Sequence, residues 1–187
     1  MAGIGNIFLG DDAFGVELAR RLSTEPLPEG VTVTDYGIRG MHLAYDLLEI
    51  APDTTILLDA VARGAEPGTV YVLEIGPDHV ADIEAAAVDA HGMAPDAVLA
   101  LLDNLGGSPG RTLLVGCEPA STEEGIGLSP SVATAVEKAV GVVLDLLTNP
   151  LTNKEGSETD AEASDVLGVG SRLGHSGGTG VQGCGSL

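Results

Sequence analysis

Two adjacent carboxylates, Asp11 and Asp12, sit in the run Gly3-Ile4-Gly5-Asn6-Ile7-Phe8-Leu9-Gly10-Asp11-Asp12-Ala13-Phe14-Gly15. The run leads directly into apolar residues at helical spacing, Phe14, Leu18, Ala19 and Leu22. A third acid, Asp59, closes the apolar stretch Ile56-Leu57-Leu58-Asp59, and His91 lies in Asp89-Ala90-His91-Gly92-Met93-Ala94-Pro95, a loop ahead of a helix. Carboxylates with an imidazole suit a borderline divalent ion such as Ni2+ or Zn2+, and a positioned carboxylate can also serve as a general base. Each residue has a plainer reading as well. Asp11 and Asp12 both fit the cap and first turn of a helix, whose dipole favours negative charge. Asp59 fits a buried acid bonded to backbone amides, and His91 a loop residue bonding a carbonyl.

The elements that would bring these side chains together alternate between strand and helix. Residues 31–36 are β-branched and alternating, which predicts a strand. Met41, Leu43, Ala44, Leu47, Leu48 and Ile50 repeat at helical spacing, Met41 reading as core. Residues 54–60 and 111–117 are short apolar runs of the kind found in strands covered on both faces. Residues 69–75 read as a strand that returns antiparallel at an edge. Pro95 fits the first turn of a helix over 95–105, and Ser129-Pro130 reads as the N-cap and N1 pair of a long final helix. The expected fold is therefore α/β, a three-layer sandwich with helices on both faces of a mostly parallel twisted sheet. In such sheets ligands gather outside the carboxyl ends of the strands. Asp12, in the turn after strand 1, and Asp59, ending a later strand, belong at that rim, with His91 in reach of it.

Composition narrows the function. The 187 residues carry a formal net charge of −20, and the excess is spread along the chain rather than gathered in one tail. Such a surface repels phosphate backbones and argues against nucleic-acid partners; a basic peptide or a cation suits it better. No 18-residue apolar stretch spans a membrane, and the start lacks the plan of a secretory signal, so a soluble cytoplasmic protein is expected. Only Cys117 and Cys184 occur, without C-x-x-C, which removes the common zinc-knuckle and redox motifs. A 117–184 disulfide is open on paper, but a reducing compartment and the placement of Cys184 in a tail argue against it. Cys117, ending a buried strand, reads as an inert small apolar residue, and His42 and His79 as surface residues. No G-x-x-x-x-G-K-[ST], H-E-x-x-H or G-x-S-x-G is present. Gly3-x-Gly5 is a weak dinucleotide signal, because the third glycine would fall on Phe8 and two acids follow where a pyrophosphate would dock.

The ends stand apart from the middle. Residues 150–187 lose the apolar periodicity and hold 9 Gly, which predicts a flexible tail beyond a domain of residues 1–149. At the other end only Met1 and Ala2 precede the Gly-x-Gly turn, where a strand is expected, so strand 1 reads as truncated and the natural chain as beginning upstream.

Several of these segments together resemble the [NiFe]-hydrogenase maturation endopeptidases. The similarity rests on Gly3-Ile4-Gly5-Asn6 with Gly10-Asp11-Asp12-Ala13-Phe14-Gly15, on Gly37-x-x-Gly40-Met41, Leu58-Asp59-Ala60 and His91-Gly92-Met93. It continues in Val115-Gly116-Cys117-Glu118-Pro119 and Gly127-Leu128-Ser129-Pro130, and so covers residues 3–147 in order. The resemblance implies an enzyme that trims a C-terminal extension from the hydrogenase large-subunit precursor once nickel is in place. It further implies that Asp12, Asp59 and His91 form the nickel-recognition site, with the chemistry itself assigned either to them or to the metal they read. Relatives often carry Glu at the position of Asp12. The Ni2+ would arrive in the substrate, so no tightly held cofactor is expected, and a monomer is. Gly40 and Met41 are candidates for lining the same cleft, and Asp11 for a helper or a helix cap. The rival readings are a nickel-binding assembly chaperone that docks the subunit without cutting it, and a related α/β peptidase with another protein substrate.

Overall fold

The computed structural model describes residues 1–75 and 95–149, all within one compact unit, Met1–Leu151. Five strands form one sheet: β1 (Ala2–Ile4), β2 (Thr34–Gly37), β3 (Thr54–Ala60), β4 (Val70–Ile75) and β5 (Arg111–Cys117). Their order across the sheet is β2-β1-β3-β5-β4. The first four of these neighbours run parallel, and β4 returns antiparallel along β5. Among the described residues four α-helices accompany them: α1 (Phe14–Leu22), α2 (Gly40–Ile50), α3 (Pro95–Asn104) and α4 (Pro130–Thr148). The three-layer, mostly parallel sandwich expected from the alternation is the architecture found.

The period-two geometry of a strand sorts each side chain to one face. Ile56 and Leu58 of β3, with Leu113, Val115 and Cys117 of β5, pack against α1 and α4. Leu57 and Leu114 point the other way, into α2 and α3. That is why β3 and β5 read as continuous apolar runs: neither face is wet. Helix α1 buries Phe14, Leu18, Ala19 and Leu22, as its spacing requires. Its charges follow its dipole, with Glu17 in the first turn and Arg20 and Arg21 in the last.

Two expectations need correction. Strand β2 begins at Thr34, not at residue 31, because its partner β1 is only three residues long. Ala2 pairs with Thr34, and residues 31–33 have no strand beside them. Met41 is not core. It is 62% exposed, because the buried stripe of α2 runs through Gly40, Leu43, Ala44 and Leu47, leaving Met41 on another face. His42 is exposed and Cys117 fully buried, as read from the sequence. Burial, with Asp11 and Glu118 nearby, pushes the Cys117 thiol up to about 11, far from a reactive thiolate. His79, His91, Cys184 and the tail over 150–187 lie outside the described residues. Among the described residues no helix is long and apolar enough to cross a membrane.

Candidate active site

The strand order places a topological switch point between β1 and β3. The chain leaves β1 toward β2 on one side, then crosses back to β3 on the other. In open α/β sheets the ligand crevice lies outside the carboxyl ends of such strands, and there the loop after β1 delivers Asp12 while Asp59 is the penultimate residue of β3. The two carboxylates singled out in the sequence are thus brought together by topology rather than by proximity in the chain.

Glycines make the approach close. Gly15 opens α1 against both strands: a Cβ there would lie 2.0 Å from the Leu58 carbonyl oxygen and 2.4 Å from that of Ile4. Gly5 adopts φ +134°, and a Cβ on it would sit 1.9 Å from the Asp12 carbonyl oxygen. The loop between them closes on itself. The Asn6 N–H donates to Asp12 Oδ2 at 2.6 Å, the Asp12 N–H donates to the Leu9 carbonyl, and a short 3-10 turn, Gly10–Ala13, leads into α1.

Asp59 is 7% exposed. Its Oδ1 accepts the Ala60 N–H at 2.8 Å, and among the described residues its Oδ2 has no donor. Burial first, and then the negative charge of Asp12, raise its pKa well above the ordinary carboxylate range. Asp12 is partly buried and also raised, by burial against the opposing hydrogen bond from Asn6. A buried carboxylate oxygen without a donor, facing a second acid, is satisfied by a proton or by a cation. Among the described residues no group of three His, Cys, Asp or Glu side chains could hold a metal by itself. His91, the third predicted member, lies outside them.

Asp11 has a different role from the one its position suggests. Neither acid caps α1, whose N-cap is Ala13 with no side-chain hydrogen bond. Asp11 is fully buried and reaches across to the segment after β5. It accepts the N–H groups of Ala120 at 2.8 Å, Ser121 at 3.3 Å and Ser129 at 2.6 Å, and the Ser129 hydroxyl at 2.9 Å. Ser129 does occupy the N-cap position of α4, but its hydroxyl is turned to Asp11 instead of to the helix. Burial pushes the Asp11 pKa up, and the hydrogen bonds outweigh it, leaving the group below the ordinary range. Sequence spacing had no means of showing this clasp, since its partners are more than 100 residues away; the only hint was Ser129 in a second segment of the same resemblance. Asp11→Ala removes the shared buried acceptor of four hydrogen bonds and is expected to cost about 2–3 kcal/mol in urea unfolding. Because the folded value is the lower one, this stabilisation is present at neutral pH and is lost as pH falls through it. Asp11→Asn should therefore show a flatter acid limb in its stability curve.

The class the structure defines is a mostly parallel α/β sandwich with two carboxylates at its switch point, and comparison with known proteins gives the family. The family model described as "HycI: Hydrogenase maturation protease" matches residues 16–146, a span that begins just after Asp12 and contains Asp59 and His91. The hydrogenase 2 maturation protease of Escherichia coli K12 is 35% identical over 147 residues, covering 78% of this chain and 87% of that protein. Among solved structures, the hydrogenase maturating endopeptidase HybD from E. coli superposes with a TM-score of 0.64 at 32% identity, covering 79% of this chain and 90% of that one. The [NiFe] hydrogenase maturation protease HycI from Thermococcus kodakarensis gives a TM-score of 0.62 at 27% identity, with the same coverages. The chain belongs to the hydrogenase maturation protease family, and it is a peptidase. Assignment to that family sets aside the reading of a carrier that binds without cutting.

Proposed function

We propose that this peptidase removes the C-terminal extension of a [NiFe]-hydrogenase large-subunit precursor after nickel has been inserted, and that Asp12, Asp59 and His91 read the metal. The single observation that carries the site assignment is the pairing of Asp12 with the buried Asp59 at the carboxyl ends of β1 and β3, where one Asp59 oxygen lacks a donor among the described residues and both groups hold their protons unusually well. The substrate class is supported by the activities in the names of the relatives.

The nickel belongs to the substrate. A divalent ion carried into the crevice neutralises the carboxylate pair, so the pair favours the metal-loaded precursor over the empty one. Docking the metal fixes the adjacent peptide bond against the rim, and positioning alone lowers the barrier to attack by water. With the cation in place, either acid ionises readily and can take the proton of the attacking water; that proton passes to the departing amine as the C–N bond breaks. The enzyme works as a cytoplasmic monomer and holds no cofactor of its own.

Nickel dependence tests this reading. Precursor loaded with nickel should lose one C-terminal peptide by intact mass, and precursor stripped of nickel by a chelator should stay uncut under the same conditions. Equal cleavage of both would remove the metal from the recognition step.

A further inference from the structure

We propose that the loop Asn6–Leu9, together with Ile126, is a preformed docking platform for an apolar, Lys- or Arg-flanked segment of the precursor polypeptide, a proposal that rests on the substrate reading above. Three consecutive apolar residues, Ile7, Phe8 and Leu9, remain at least partly exposed in this loop, with Phe8 at 60%. Across from them Ile126 is 83% exposed, more than any other large apolar residue described. Exposed apolar runs of this kind mark interaction sites on otherwise polar surfaces.

The platform is pinned by hydrogen bonds. Leu9 and Gly125 form a parallel bridge, in which the Gly125 N–H donates to the Phe8 carbonyl at 2.9 Å and the Gly10 N–H to the Gly125 carbonyl at 3.0 Å. The Phe8 N–H is held by Asn6 Oδ1 at 3.0 Å. The buried Asp11 carboxylate also clasps Ala120, Ser121 and Ser129, so the two segments are tied together by hydrogen bonds at two places. Preorganised apolar surface loses little freedom on binding.

Its position and charge specify the occupant. Phe8 sits on the loop that the Asp12 carboxylate closes through the Asn6 N–H, four residues from Asp12 in the chain and exposed to a polypeptide approaching that end of the sheet. Glu123 and Glu124 are exposed beside Ile126, in a chain of net charge −20. An apolar segment with basic neighbours complements that combination, whereas an acidic one is repelled.

The test is the double substitution Phe8→Ser, Ile126→Ser, made both in the active chain and in an Asp59→Asn background, against full-length nickel-loaded precursor. In the active chain KM should rise about ten-fold or more, with kcat within about two-fold and the melting temperature unchanged. In the Asp59→Asn background, binding of the precursor should weaken by a similar factor, and binding to the single Asp59→Asn chain should weaken as salt rises. Unchanged KM and unchanged binding by a folded double variant would overturn the platform. Should the active chain leave the precursor uncut while binding still falls ten-fold, the platform stands and the substrate reading fails. If the precursor binds neither chain, both are wrong.

Discussion

Asp59→Asn is expected to lower cleavage of the nickel-loaded precursor by at least about a thousand-fold while raising the melting temperature by a few degrees. The loss follows from removing one of two charges that meet the metal and one of two candidate bases; positioned acid–base catalysis alone accounts for about 100- to 10,000-fold. The gain follows from linkage. Asp59 is buried beside Asp12 and its folded pKa lies well above the unfolded one. Such a group favours the folded state while both states keep the proton; its contribution falls as pH rises through the unfolded carboxylate range and is an undiminished penalty above the folded value. Asparagine fills the same space without that penalty. Chemical denaturation of both chains from acid to neutral pH should show the wild-type curve dropping relative to the variant as pH rises. A variant that is inactive and also less stable at neutral pH would mean that Asp59 is mainly a structural anchor. A site that sacrifices stability for function is what a stability–activity trade-off predicts.

Gly15→Ala should abolish the fold. Its Cβ would stand 2.0 Å and 2.4 Å from two backbone oxygens, those of Leu58 and Ile4, neither of which can swing away as a side chain could. Relief requires α1 to lift from the sheet, exposing Phe14, Leu18 and Leu22, all fully buried. The cost exceeds about 4 kcal/mol, much of the ~5–15 kcal/mol that a domain has in total. Far-ultraviolet circular dichroism should show loss of the cooperative transition. Gly141 is the matched control: it lies inside α4, and nothing comes within 4 Å of a Cβ built there. Gly141→Ala should stabilise by up to about 1 kcal/mol. A Gly15→Ala chain that melts like its parent would show that the helix does not need this close approach.

Much of the scaffold was legible in the chain because burial on both faces leaves a plain mark. The runs at 54–60 and 111–117 match β3 and β5 residue for residue, since all positions inside their ends are buried. Pro95 and Pro130 start their helices as their missing N–H groups allow. What local pattern could not supply was anything set by distant partners. Where β2 begins depends on the length of β1, 30 residues earlier. Whether Met41 faces the core depends on which side of α2 meets the sheet. Asp11 and Asp12 look interchangeable in sequence, yet one is a buried clasp for residues 120–129 and the other lines the crevice beside Asp59. Gly15 reads as an ordinary helix residue until the backbones of β1 and β3 are seen beneath it.

The measurement that bears most directly on the site is intact mass of nickel-loaded large-subunit precursor after incubation with the wild-type chain, with Asp12→Ala and with Asp59→Ala, each variant first shown to be folded. The expected result is loss of a single C-terminal peptide with the wild-type chain and an unchanged precursor mass with either variant. Full processing by a folded Asp59→Ala chain would contradict the carboxylate pair as the centre of this enzyme.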